Sequence, residues 1–566
     1  MNQTRTFLIL AWLMVATFLW MAWTREHAAP APAATASSQP AATAAVADDA
    51  GVPAVPQAPA AAATPAAPAM SAAAPAASVP VVSVTTDVLQ VRLDGGSVRS
   101  ARLTGFPQTT EPGSPPVQLF ADDPARLFEA QSGWVSGSGA APSHEAFVPV
   151  EAARSYALAP GANTLDVPFV WHGPNGVTVR RVYTFTRGDY AIGVRDTVVN
   201  QGGAPWQGHV YRQLLRVPPQ VKSGFTHPES YSFHGAAWYS AQDKFEKRKF
   251  DKYGDEAPLQ KEVKGGWIAM LQHHFFAAWI PAADDTTTFS TDVLPGGAAQ
   301  RMLIREVGPG VNVAPGQQAQ TSARLWVGPK LVAKIDAQRV PGLERAVDFS
   351  SYGWLAWIAG LLFSVLAFLH GLFGNWGWAI IGLVVIVKAL MFPLSAAQYK
   401  SAAKMRRFQP RIEQLKERYG DDKQKFQLAL MELYKKEKIN PVGGCLPVLV
   451  QMPVFLALYW VLLESVELRQ APWIGWIQNL TAPDPFFILP ALNVAVTWAT
   501  QKLTPMPGMD PTQKKLMQFM PIAMGVMFAF FPAGLVLYWV TNGSLGLLQQ
   551  WWMTRKYGGA AQPAKA

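Results

Sequence analysis

The chain has 566 residues, half of them hydrophobic, with a net charge of +10 and one cysteine, Cys445. A lone cysteine excludes an intrachain disulfide and reads as a small packing residue. The excess of Lys and Arg sits in loops beside apolar runs, which membrane topology explains better than nucleic-acid binding. Apolar stretches of about twenty residues recur in the C-terminal third and occur once at the start, the pattern of a polytopic membrane protein with a large soluble insert.

The run Phe7 to Trp23 follows Arg5 and predicts an N-terminal signal-anchor helix over 1–27, with its N-terminus in the cytoplasm. A cleaved secretory signal is the competing reading, because an Ala-rich stretch follows at Ala28. Residues 28–80 are mostly Ala and Pro and predict a disordered or polyproline-like tether.

Residues 81–335 read as a β-sandwich. Asp87 to Asp94 alternates apolar and polar side chains and turns at Gly95-Gly96; Val177 to Asp196 repeats the pattern around Gly188. Many short strands with Gly and Pro punctuation suit a sandwich. Trp171, Trp238 and Trp267 offer stacking surfaces for sugars but read as core, and His273-His274, with no second ligand pair nearby, reads as structural.

Two apolar runs follow, Tyr352 to Phe373 and Trp376 to Leu394, joined only by Gly374-Asn375. Later runs cover Val442 to Leu463, Pro485 to Leu503, Leu516 to Phe531 and Gly534 to Met553. Residues 395–440 hold twelve bases against six acids, which marks a cytoplasmic loop. Its apolar residues Met405, Phe408, Ile412, Leu415, Phe426, Leu430 and Leu433 have helical period, and Gly420-Asp421-Asp422 punctuates them, so an αα-hairpin is expected. That hairpin is either a solvated pair or a docking arm. Residues 464–484 carry Arg469 as their single cation and belong outside; Lys502, Lys514 and Lys515 return inside, and Arg555, Lys556 and Lys565 end inside in a tail over 554–566. An odd number of spans must then separate the β region from the basic loop. One of the runs flanking Gly374 is therefore interfacial, within 336–374, and the other crosses, opening a five-span core over 375–553.

The crossing run contains Lys388. A cation at membrane depth costs about 2.5–3.5 kcal/mol on insertion scales, so it faces protein or water, or snorkels to the nearer interface. The residue alone leaves both open. Gln451, Asn493, Thr497, Thr500, Gln501, Gln518, Thr541 and Asn542 add polar side chains to the spans. Each alone suits an interhelical hydrogen bond; beside a buried cation, Asn493, Gln501, Gln518 and Asn542 are candidates to line one hydrated groove. Nucleotide-loop, zinc-site and nucleophile-elbow motifs are missing from the sequence, so an enzyme, a cofactor or a metal is not expected.

Long motifs carry a resemblance. They are Gly374-Asn-Trp-Gly-Trp-Ala-Ile-Ile, Gln398-Tyr-Lys-Ser-Ala-Ala-Lys-Met405, Asn440-Pro-Val-Gly-Gly-Cys-Leu-Pro447, Gln451-Met-Pro-Val-Phe-Leu-Ala-Leu-Tyr459, Ser465 to Pro472 and Phe531-Pro-Ala-Gly-Leu-Val-Leu-Tyr538, with Lys264 to Gln272 and Leu325 to Pro329 in the external region. On these the chain resembles the YidC/Oxa/Alb family of membrane protein insertases in its Gram-negative form. The resemblance implies a polytopic α-helical membrane protein: an N-terminal anchor, a periplasmic β-supersandwich, an external amphipathic helix and a five-helix core around a hydrophilic groove closed to the outside. It places Lys388 where the family usually has Arg, a sliding surface at Met452, Pro453 and Phe455, and a contribution from Tyr538 and Trp539, with Gln451 a further candidate for substrate contact. Implied partners are nascent membrane proteins, the Sec translocon and its accessory subunits, the ribosome or the signal recognition particle and its receptor, and the lipid bilayer, with no direct nucleic-acid recognition. The implied location is the bacterial inner membrane, with both termini cytoplasmic. A secondary transporter or channel using Lys388 as a charge site is the alternative, and no inverted repeat supports it. A membrane-anchored sugar-binding sensor is the third reading.

Overall fold

A computed structural model describes residues 80–137, 139–221, 232–295, 299–350, 352–396, 408–419, 422–436, 446–503 and 511–557, with positions 53 and 230. The expected anchor, almost all of the tether, Cys445, the ends of the basic loop and the last nine residues of the tail lie outside the described residues.

Between Val82 and Pro329 the described residues form a ten-stranded and a nine-stranded sheet. The nine-stranded sheet is antiparallel throughout. Strands Leu89–Asp94 and Ser97–Pro107 turn through Gly95, whose φ of 59° suits glycine. Strands Val177–Thr186 and Ala191–Asn200 pair around Gly188, at φ 69°. The period of two buries Val177, Val179, Arg181, Tyr183 and Phe185 on one face. The same rule therefore drives a guanidinium into the core. Asp196 stands directly opposite Arg181 in the register and takes it through both oxygens, at 2.7 and 2.6 Å. Trp134 donates to the same carboxylate at 2.8 Å, Arg181 reaches the Ser132 carbonyl at 2.7 Å, and the Phe147 ring lies 4.1 Å from the guanidinium carbon. Trp267, Trp279 and Trp326 fill the core around them. Trp238 and Trp267 are buried in the core and Trp171 packs half-buried against it.

The helical region follows. Its described helices are α1 Val332–Ala337, α2 Gly353–Phe373, α3 Trp376–Leu390, α4 Gln409–Tyr419, α5 Lys423–Lys436, α6 Leu446–Glu464, α7 Ile488–Leu503, α8 Pro511–Phe528 and α9 Ala533–Tyr557. A two-residue corner separates α2 from α3. Gly374 ends α2 in the left-handed conformation at φ 65°, and the Asn375 side chain caps α3 by accepting from Trp378 N at 3.2 Å. Asn375 also donates to the Trp473 carbonyl at 3.0 Å, tying this corner to the loop after α6. Gly377 lets Trp473 lie so close that a Cβ there would sit 2.0 Å from the indole.

Among the described residues α2 alone has both the length and the apolarity of a membrane span. It buries Leu355, Ala359, Leu362, Phe363, Leu366 and Leu369 on one face, and exposes Trp354, Trp357, Leu361, Phe368 and Leu372. A helix apolar all round belongs in lipid or a core, so α2 lacks the polar face of an ordinary interfacial helix. α3 has 15 residues, but helical hydrogen bonds run on from Met391 N to Val387 O and from Ser395 N to Met391 O, which lengthens the rod. α2 packs on α3 and α6, and α9 packs on α3 and α7.

Replacing Arg181 with Leu leaves Asp196 buried and unpaired, and the expected loss of stability is about 3–5 kcal/mol. Replacing both partners, Arg181→Met with Asp196→Leu, is expected to cost far less. Urea unfolding of the detergent-solubilised chain, followed by tryptophan fluorescence, separates the two outcomes.

Candidate functional site

α3 turns Ile380, Leu383 and Val384 into the bundle, and Lys388 continues the ridge Ile380, Val384 at the helical spacing of four. Its side chain therefore follows the packed face of α3 rather than the outer face of Val385 and Ile386, which are exposed. Lys388 is half-buried, and its Nζ lies 3.5 Å from the point a Cβ on Gly546 would occupy. Among the described residues it makes no ion pair. The facing helix α9 repeats the same spacing with Tyr538, Asn542, Gly546 and Gln550. Tyr538 and Gln550 are buried; Asn542 and Gly546 are half-buried. One stripe of α9 thus presents a phenol, two amides and a gap, with the gap at the ammonium.

α6 closes the other side of that stripe. Gln451 Nε2 donates to Asn542 Oδ1 at 3.1 Å and to Tyr538 Oη at 3.5 Å. One turn along, the Phe455 ring lies 4.8 Å from Trp539, and Trp539 lies 5.4 Å from Phe528 of α8. Met452, next to Gln451 on α6, is exposed, and Pro453 after it interrupts the helix's donor series. Lys388, Gln451, Phe455, Tyr538, Trp539 and Asn542 are therefore brought onto the facing sides of three helices. The remaining groove candidates stand elsewhere. Asn493 is buried in α7, where its carbonyl accepts from Thr497 at 2.7 Å; Gln501 is half-buried two turns further on; Gln518 is exposed on α8.

Sequence reasoning passed over Gly546, Gln549 and Gln550. The signal was the ladder of four from Tyr538 through Asn542, which runs through Gly546 to Gln550. Gln549 adds a buried Nε2 with no hydrogen-bond partner among the described residues. The arrangement can hold a single positive charge beside neutral donors and acceptors. That suits reversible contact with a polar or anionic chain and offers no nucleophile–base pair.

Elsewhere, a groove of about 360 Å³ lies on the outer face of the nine-stranded sheet, with Arg195 and Arg324 at its wall and no aromatic ring among its lining residues.

The model of a family described as 60Kd inner membrane protein matches residues 368–560, and that of the YidC periplasmic domain matches residues 81–365. A protein of Stenotrophomonas maltophilia named membrane protein insertase YidC is 57% identical over 566 residues, covering 100% of this chain and 98% of its own length. One of the same name from Xanthomonas axonopodis pv. citri is 57% identical over 567 residues, with 99% and 98% covered. Among solved structures, an active YidC insertase with its first transmembrane domain resolved aligns at TM-score 0.35 and 17% identity, over 83% of this chain and 94% of that one. A galactose mutarotase-like protein from Lactobacillus casei aligns at TM-score 0.30 and 10% identity, over 44% and 99%.

A leucine at Gly546 is expected to fill the space at the ammonium. With Cys445→Ser and Lys388→Cys in place, a small water-soluble maleimide is expected to label position 388 in membranes. Gly546→Leu should slow that labelling several-fold, while Ser544→Leu, at an exposed position of α9, leaves it unchanged.

Proposed function

The chain belongs to the YidC family of membrane protein insertases, inner-membrane proteins with a periplasmic domain, and from that premise we propose that it moves transmembrane segments of nascent proteins into lipid along the groove between α3, α6 and α9. The observation that carries the reading is the seat of Lys388: on the packed face of α3, free of any ion pair among the described residues, and opposite the polar stripe of α9.

An extracytoplasmic segment of a client must cross a slab of low dielectric. A groove that is polar partway in keeps its acidic and amide groups solvated during that passage. At 4 Å and an effective dielectric of 20, the ammonium attracts a carboxylate by about 4 kcal/mol before desolvation. That is enough to recruit and too little to trap. The amides of Gln451 and Asn542 exchange hydrogen bonds with the passing backbone. Met452, Phe455 and Trp539 offer an apolar slope, and the client's apolar residues then partition into lipid, which drives the process. No covalent step enters this scheme.

In this proposal the sheet region is periplasmic, the basic α4–α5 hairpin is cytoplasmic, and both termini lie in the cytoplasm. Charge parity makes α3 the crossing helix and α2 an apolar rod lying in the outer leaflet. The hairpin is the docking arm for the ribosome or for the signal recognition particle and its receptor, and the chain acts alone or beside the Sec translocon.

Insertion of a small, phage-coat-like client with an acidic external tail into proteoliposomes tests the attraction. Lys388→Arg is expected to retain insertion, Lys388→Ala to lower it, and Lys388→Glu to lower it furthest. Equal insertion of the acidic client by the Glu variant and the wild type sinks the model. Solute flux without insertion would instead mark a transporter.

A further inference from the structure

α6 carries the stretch Gln451 to Phe455 and ends at Glu464. The last carbonyls of a helix have no partner within it. Here the Leu463 carbonyl is met by two imidazoles from the sheet region, His273 Nε2 at 2.9 Å and His274 Nε2 at 3.3 Å. A carbonyl only accepts, so both nitrogens carry the hydrogen. The two rings stack with centroids 3.7 Å apart. His274 is buried, and that burial, with the charges of His273, Lys330 and Arg469 beside it, holds its pKa well below the ordinary imidazole value, so it donates as the neutral ring.

The next residue is held as well. Lys330 Nζ stands 3.5 Å from the Glu464 carboxylate, with side chains 0% and 2% exposed. Lys330 N also donates to the His274 carbonyl at 2.9 Å, so ammonium and imidazoles come from one corner of the fold. Beyond the helix, Glu467 accepts from Val332 N at 3.1 Å. Arg469 donates to the Pro107 and Gln108 carbonyls at 2.8 and 3.1 Å, and Gln470 donates to Pro107 at 3.1 Å. The apolar residues repeat the division: Val466 packs into the sheet core and Leu468 into the helical core. About 20 Å of helix separates this junction from Gln451, and Pro453 breaks the donor series between.

We propose that the sheet region sets the position of α6 through this junction, with His273, His274 and Lys330 as positioning residues for the client-contacting stretch Gln451 to Phe455. The outer end of α6 is a fixed pivot, and the half below Pro453 yields to the incoming segment. The proposal rests on α6 being part of the insertion path.

The test uses the full chain in proteoliposomes, with Cys445→Ser and spin labels at two exposed positions, Leu456 of α6 and Leu548 of α9. Wild type is expected to give one narrow distance distribution. His273→Ala with His274→Ala, and separately Lys330→Ala, should broaden it and lower client insertion and crosslinking at position 455 about fivefold. His273→Gln with His274→Gln keeps a donor at each place, and Lys330→Arg keeps the charge; both should recover the narrow distribution and most of the insertion. Arg102→Ala, exposed on the sheet, changes neither. Unchanged distances in the Ala variants overturn the proposal, and so does a loss that Gln and Arg fail to recover. A failure of the insertase reading looks different: wild type inserts no better than empty vesicles, while the distances still report on the pivot.

Discussion

A protein segment in lipid has no water to satisfy its polar groups, so each one must find a partner in the chain or a pocket that admits solvent. In the helical region that constraint bears hardest on Lys388. Gln451 and Asn542 satisfy one another across α6 and α9, the Asn493 carbonyl takes the Thr497 hydroxyl, and the Thr500 hydroxyl turns back onto the Val496 carbonyl. The ammonium has no such arrangement among the described residues. Its neighbours are a missing side chain at Gly546 and the amides further along the α9 stripe. The groove reading starts from that imbalance: several polar groups of the bundle meet one another, while the ammonium makes no ion pair among the described residues.

The sheet region meets the same problem differently. Arg181 and Arg212 are almost wholly buried, and each is answered by a carboxylate, Asp196 and Glu306. The first pair is bidentate and the second a single contact at 2.8 Å, and each stands directly across from its partner in strand register. A charge completed in this way is structural. Lys388 differs from these two: it makes no ion pair among the described residues, as Arg216 of the sheet region, which donates to the Gln272 amide, makes none either. Lys330 lies between the cases, because its carboxylate belongs to α6 and its own strand corner to the sheet.

Much of this was legible in the sequence, for definite reasons. Alternation at Val177 to Asp196 declared a hairpin because a half-buried strand repeats every two residues. Gly374-Asn375 declared a corner because one residue adopts the left-handed conformation cheaply and the next caps a helix. Lys388, Gln451 and Asn542 stood out as polar side chains in apolar runs, and the resemblance supplied Tyr538. Gly546 did not, because its contribution is the absence of atoms. The burial of Arg181 went unremarked because the alternation was read for its apolar positions. The histidines looked structural, but their acceptor is a backbone carbonyl 190 and 189 residues away in sequence, and no side-chain pattern marks a carbonyl.

The pairing of Lys388 with Gly546 also bears on the choice of cation. A guanidinium is planar and donates through a fixed fork, so it works best where acceptors sit in its plane. An ammonium is a compact charge on a flexible stem and needs clearance more than it needs oriented partners. The facing stripe of α9 supplies clearance at Gly546 and places its amides a turn away on either side, at Asn542 and Gln550. A larger side chain at 546 would reach the tip of the lysine, whose Nζ lies 3.5 Å from the place of a Cβ there. The two positions therefore face one another: the small residue on α9 stands at the tip of the lysine on α3, which makes no ion pair among the described residues.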